Sequence, residues 1–119
     1  MAKKVKLMNT QTFVTEWIAA SNALDTDKYL DFYLPEAVLD DPSVGRKFEG
    51  RKEIKQYFDN YFIGYNTHTK QVNLTITDQE HAHLEVQFTG DFPEGKILGT
   101  FDFQFRDGKI AFAKADLIH

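Results

Sequence analysis

The sequence predicts an α+β domain, a curved antiparallel sheet with three helices over one face. Three observations predict it. Apolar residues recur at helical spacing in the first half, at Phe13, Trp17, Ala20 and Leu24 and again at Ile54, Tyr57, Phe58, Tyr61 and Phe62. From Thr67 onward the apolar period switches to two. Helical and strand patterns are therefore segregated along the chain, and Asp107-Gly108 marks a tight hairpin between the last two strands.

Residues 1 to 9 read as a flexible lead, with Asn9, Thr10 or Thr12 able to cap the first helix. Its buried stripe is Phe13, Trp17, Ala20 and Leu24. Asp25 can cap a second, shorter helix whose apolar side is Tyr29, Leu30, Phe32 and Tyr33, and Pro35 disfavours helical geometry at Leu34. A strand over about Ala37 to Asp41 follows. Pro42 cannot donate to a ladder, so pairing ends there, and a polar loop leads to the third helix. Gly50 opens that helix, Glu53 sits in its first turn where the helix dipole favours an acid, and Gly64 supplies a left-handed stop. Four strands then carry Val72, Leu74 and Ile76; Ala82, Leu84, Val86 and Phe88; Phe101, Phe103 and Phe105; and Ile110 and Phe112.

Composition sets limits on function. The 119 residues form one domain, 1–119, with a hydrophobic share of 42%, enough for a core without disulfides or a structural metal. With 0 Cys there is no thiolate zinc site and no cysteine nucleophile. The net charge of -4 weighs against a nucleic-acid partner. No apolar run approaches the roughly 20 residues of a membrane helix, so a cytoplasmic protein without membrane contact is expected. Aromatic residues are the unusual feature: 11 Phe, 5 Tyr and 1 Trp exceed what packing a small domain needs, and large rings commonly line cavities.

The N-terminal helix ending in SNALDTDKYLDFY, the strand VLDDP, the helix start Gly50-Arg51-Lys52-Glu53-Ile54 and the terminal FDFQFRDGKIAFAKADLI together span nearly the whole chain. In these features the chain resembles the cone-shaped α+β superfamily of nuclear transport factor 2, ketosteroid isomerase and the SnoaL-like cyclases. The resemblance implies a cone whose helices cover the concave face of the sheet and enclose a pocket for a small hydrophobic molecule. It also implies a homodimer formed through the sheet.

Asp41 falls where the isomerases of that superfamily hold a proton-shuttling Asp, within the same Asp-Pro pair. Period two alone does not choose between Asp40 and Asp41; the resemblance selects Asp41. In those isomerases a Tyr and a neutral carboxylic acid form the oxyanion hole. Trp17 and Phe101 stand at those places here, and a phenyl ring donates no hydrogen bond, so steroid isomerisation is not expected. Asp before Pro is equally an ordinary strand-ending turn whose side chain satisfies nearby backbone N–H groups. Both readings of Asp41 stand at the level of sequence.

Asp41 is thus the candidate catalytic residue, with Trp17, Tyr57, Phe58, Tyr61, Phe101, Phe103 and Lys114 as candidate ligand contacts. Core packing accounts for the aromatic members as well. Lys114 shares its parity with Ile110 and Phe112, which would turn it inward toward Asp41 unless a bulge intervenes. His81, His83 and Glu85 lie on one side of a strand, a pattern that a polar outer face explains without a metal. His68 and His119 read as solvated, and no cofactor or metal is expected. Two function classes follow: a proton-transfer enzyme on a hydrophobic oxygenated substrate, of the isomerase, cyclase or dehydratase type, or a non-catalytic binding or association module of the same fold.

Overall fold

The computed structural model describes residues 9–118, so most of the expected lead and His119 lie outside the described residues. Helix α1, Thr10–Asn22, starts at Asn9, whose side chain accepts from the Thr12 amide at 3.0 Å. Phe13, Val14, Trp17 and Ala20 are its buried face. Helix α2, Thr26–Asp31, is capped by Asp25, which accepts from the Lys28 amide. It ends before the expected Leu34 because the Phe32 carbonyl accepts a hydrogen bond from the Ile110 amide at 2.8 Å. Tyr33 therefore opens strand β1, Tyr33–Asp41, instead of closing the helix.

Strand β2, Arg46–Glu49, occupies the stretch expected to be a loop. Gly45, at φ 71°, takes a left-handed conformation that lets the chain reverse and pair antiparallel with β1. Helix α3, Gly50–Phe58, runs into a wider π turn at Asp59–Ile63. The expected left-handed stop at Gly64 is not found: its φ is -58°, and Asn66 carries the positive φ. Close approach explains the glycine, since a Cβ there would lie 2.5 Å from the Asn60 carbonyl oxygen.

Strands β3 His68–Asp78, β4 His81–Thr89, β5 Lys96–Arg106 and β6 Lys109–Ile118 complete one sheet in the order β2-β1-β6-β5-β4-β3. The curved, unclosed sheet has six strands and is mixed, because β1 runs parallel to β6. With the three helices it makes the α+β cone expected from sequence, corrected by the extra strand and the parallel pair. Asp107 and Gly108, at φ 54° and 75°, form the tight hairpin between β5 and β6. The core holds Trp17, Tyr29, Leu39, Phe58, Leu84, Phe103 and Ile110.

A bulge in β6 corrects the orientation of Lys114. Phe105 pairs with Ile110 but Gln104 pairs with Phe112, so Ala111 is an extra residue and the inward parity passes to Ala113 and Ala115. Lys114 is exposed on the outer face, in register with Asp102 on one side and Asp40 on the other.

Candidate functional site

Along β1 the buried positions are Tyr33, Ala37, Leu39 and Asp41, while Asp40 faces the other side opposite Lys47 and Lys114. Asp41 is thereby carried to the inner wall at the last residue of the strand, where it is only 5% exposed. Pro42 then starts a single 3-10 turn, Pro42–Val44, for which Asp41 is the cap. Its Oδ1 accepts from the Ser43 amide at 3.0 Å and from the Ser43 hydroxyl at 2.5 Å. Its Oδ2 accepts from the Tyr57 hydroxyl at 2.9 Å.

Asp41 is a turn cap and a cavity wall at once. A cavity of about 230 Å³ opens beside it, lined in its buried part by Asp41, Tyr57, Phe62, Phe101 and Ala115. Tyr61, Thr67, Phe88 and Ile97 continue the lining, and Tyr65, Phe92, Pro93 and Glu94 lie at its more exposed end. The loop between β4 and β5 is tied down there by a hydrogen bond from the Asp91 amide to the Tyr65 carbonyl at 2.8 Å and by edge contact of the Tyr65 and Phe92 rings. Tyr57 is held as a donor: burial, then the neighbouring charge of Asp41 and the hydrogen bond to it, push its pKa well above the ordinary tyrosine value.

The structure brings Asp41, Tyr57, Tyr61 and Phe101 together at the cavity and leaves the other candidates elsewhere. Trp17 is fully buried, packs edge-on against Phe101 and Phe103, and donates its indole N–H to the Tyr33 hydroxyl at 3.3 Å. Phe58 stacks on Tyr29 at 4.1 Å between ring centroids. Trp17, Phe58 and Phe103 are thus core residues outside the cavity lining, and Lys114 lies on the outer face. Tyr29 and Tyr33 share a hydroxyl pair at 2.7 Å, and burial raises both pKa values, that of Tyr33 to about 12.

Ser43, Tyr65, Thr67, Phe88, Phe92 and Ile97 also line the cavity and were not singled out by sequence. The Asp-Pro-Ser order was a signal for Ser43, since an Asp commonly accepts from the residue two positions on. Phe92 carried no periodic signal because it sits in a loop. On the outer face, His83 pairs with Asp102 at 2.6 Å and His81 with Asp78 at 2.9 Å. Among the described residues no three His, Cys, Asp or Glu side chains are grouped to hold a metal.

A family model described as a SnoaL-like domain matches residues 14–113. Solved structures with the same fold include a protein of Sinorhizobium meliloti provisionally named a polyketide cyclase, at 23% identity and TM-score 0.79, covering 87% of this chain and 93% of that one. Another is an epoxide hydrolase/cyclase-like enzyme, SalBIII, of pyran ring formation in salinomycin, at 20% identity and TM-score 0.78, covering 91% and 89% of the two chains. A third is a hypothetical protein of Catenulispora acidiphila with a ketosteroid isomerase-like fold, in complex with trimethylamine, at 16% identity and TM-score 0.77, covering 87% and 82%. No curated protein matches the chain in sequence.

Proposed function

Since the chain belongs to the SnoaL-like domain family, we propose that its cavity binds a small hydrophobic, oxygenated molecule with Asp41 as the polar anchor. One observation carries this reading: a carboxyl group 5% exposed stands on the wall of an aromatic cavity of about 230 Å³, with the Tyr57 hydroxyl donating to it. In its catalytic form Asp41 takes a proton from a carbon beside the ligand's oxygen function, an isomerase- or cyclase-type step. Trp17 is not the partner donor in this scheme, because its indole N–H is already given to Tyr33 in the sealed core. Tyr61, whose ring lines the cavity 5.5 Å from that of Tyr57, is the donor we assign to the ligand oxygen.

The non-catalytic reading has an observation of its own. Ser43 and Tyr57 both direct their hydroxyls at Asp41, which satisfies the acid and leaves these two donors unaimed at a ligand. Titration with small cyclic ketones, followed by amide NMR shifts, tests both. Shifts clustering at Asp41, Tyr57 and Ala115, and lost in Ala115→Leu, are expected. Deuterium uptake beside the ketone carbonyl, lost in Asp41→Asn, marks the enzyme; binding without uptake marks the module. Shifts confined to the outer face around His83 and Asp102 would overturn the cavity assignment.

The same reading places a second copy of the chain against the outer sheet face, where Glu85, Thr100, Gln104 and Lys114 present a mixed polar surface. Light scattering should return about twice 13.8 kDa. A cytoplasmic setting without nucleic-acid partners is proposed from the composition; among the described residues no helix is long and apolar enough to cross a membrane.

A further inference from the structure

Asp41 is almost fully buried and takes part in none of the ion pairs among the described residues. Its three contacts all donate to it, from the Ser43 amide, the Ser43 hydroxyl and the Tyr57 hydroxyl. The group is therefore presented as an acceptor, the role of an ionised carboxylate. Neutral donors stabilise that charge without cancelling it, and buried charges in proteins are ordinarily paired. Arg46, which strand register sets opposite Asp41, does not serve: its guanidinium lies over the Phe48 ring at 4.4 Å and reaches Glu53 at 3.5 Å.

The rest of the cavity has the same bias. Its ionisable lining residues of charged type are Asp41, Glu94 and Asp116, with no Lys, Arg or His among them. Asp116 follows the outward alternation of β6, so Asp41 inside and Glu94 at the open end set the field. Beside Asp41 the rings of Tyr61 and Phe62 are inclined at 51° and 56° to that of Tyr57, a splayed set of faces rather than a flat stack. Ring faces attract cations, most strongly where water is displaced.

We propose that the ligand carries a cationic nitrogen, a protonated amine or quaternary ammonium, which sits against Asp41 and the Tyr57, Tyr61 and Phe62 rings and completes the missing ion pair. This rests on the small-molecule reading above and narrows it to oxygenated molecules bearing a basic nitrogen. Carboxylates and phosphates are disfavoured by the same field.

Three molecules of one shape test it: choline, its neutral carbon isostere dimethylbutanol, and the matching anion dimethylbutanoate. Calorimetric titration should give affinities in the order cation, neutral, anion, with choline about tenfold or more tighter than dimethylbutanol. Asp41→Asn keeps an acceptor for the turn and should cut the preference for choline over dimethylbutanol severalfold, the ring faces holding what remains. Equal or tighter binding of dimethylbutanol to the unsubstituted protein overturns the cationic ligand and leaves the small-molecule reading standing. So does failure of all three while a cyclic ketone binds. Failure of the ketone as well removes the small-molecule reading itself.

Discussion

Two aromatic regions of this molecule use the same residue types to opposite ends. Around Trp17, Tyr29 and Tyr33 the rings fill their space, and each polar atom is answered by another ring: the indole N–H by the Tyr33 hydroxyl, that hydroxyl by Tyr29. Around Tyr57, Tyr61 and Phe62 the rings leave about 230 Å³ unfilled, and the Tyr57 hydroxyl answers a carboxylate. Phe101 belongs to both, edge to the Trp17 ring on one side and lining the cavity on the other. An aromatic-rich composition therefore does not by itself mark a site. What distinguishes the candidate site is unfilled volume next to a buried carboxyl group.

The largest expected effect breaks the sealed region. Trp17→Ala removes a fully buried ring and leaves the Tyr33 hydroxyl with Tyr29 as its remaining partner, which should cost about 3–5 kcal/mol. Thermal denaturation should show a fall of more than about 10 °C. A loss under about 1 kcal/mol would mean that this region is not close-packed.

High pH attacks the same region through its hydroxyls. Burial raises the folded pKa of Tyr33 to about 12 from an ordinary value of 10.0, so the folded state holds the proton more tightly than the unfolded chain. The associated stability is fully present below about pH 10 and is lost as pH rises toward about 12, by roughly 3 kcal/mol for Tyr33 alone. Tyr29 and Tyr57 shift in the same direction. Denaturant unfolding at stepped pH should show this decline, with tyrosinate absorbance from the buried rings appearing only as structure is lost. Stability unchanged through pH 12 would contradict it.

Removing one hydroxyl from each region sharpens the comparison. Tyr33→Phe strands the Trp17 N–H where no water reaches and should cost about 1–3 kcal/mol. Tyr57→Phe should cost under about 1 kcal/mol, because water in the cavity replaces the lost donor to Asp41. Equal losses on urea unfolding would erase the distinction between a sealed cluster and a wetted one.

The smallest effect separates the two duties of Asp41. Asp41→Ala removes the cap of the Pro42–Val44 turn and should cost about 1 kcal/mol, whereas Asp41→Asn keeps an acceptor for the Ser43 amide and should leave the melting temperature nearly unchanged. Ligand affinity should fall in both. Were Asp41→Asn as destabilising as Asp41→Ala, the charge itself would be structural.

Local chemistry made much of the fold legible in the sequence. The polar run Asn9-Thr10 to Thr12, within which the structure takes Asn9 as the cap, and Asp25 announce the helix starts, the Ile54 to Phe62 spacing announces the third helix, and Asp107-Gly108 announces the last hairpin, because each signal acts within a few residues. The Tyr57 and Tyr61 side of the cavity follows from the same helical spacing, whereas the strand period leaves Asp40 and Asp41 level and only the family resemblance selects Asp41. Tertiary structure decided the rest. The parallel contact of β1 with β6 joins segments about 75 residues apart, the extra Ala111 reverses the facing of Lys114, and Phe92 reaches the cavity only because its loop is fastened to Tyr65. Sequence also shows that Trp17 and Tyr57 are both buried aromatics, but not which one borders empty space. That depends on whether residues from distant strands fill the volume beside each ring, and packing of that kind has no local period.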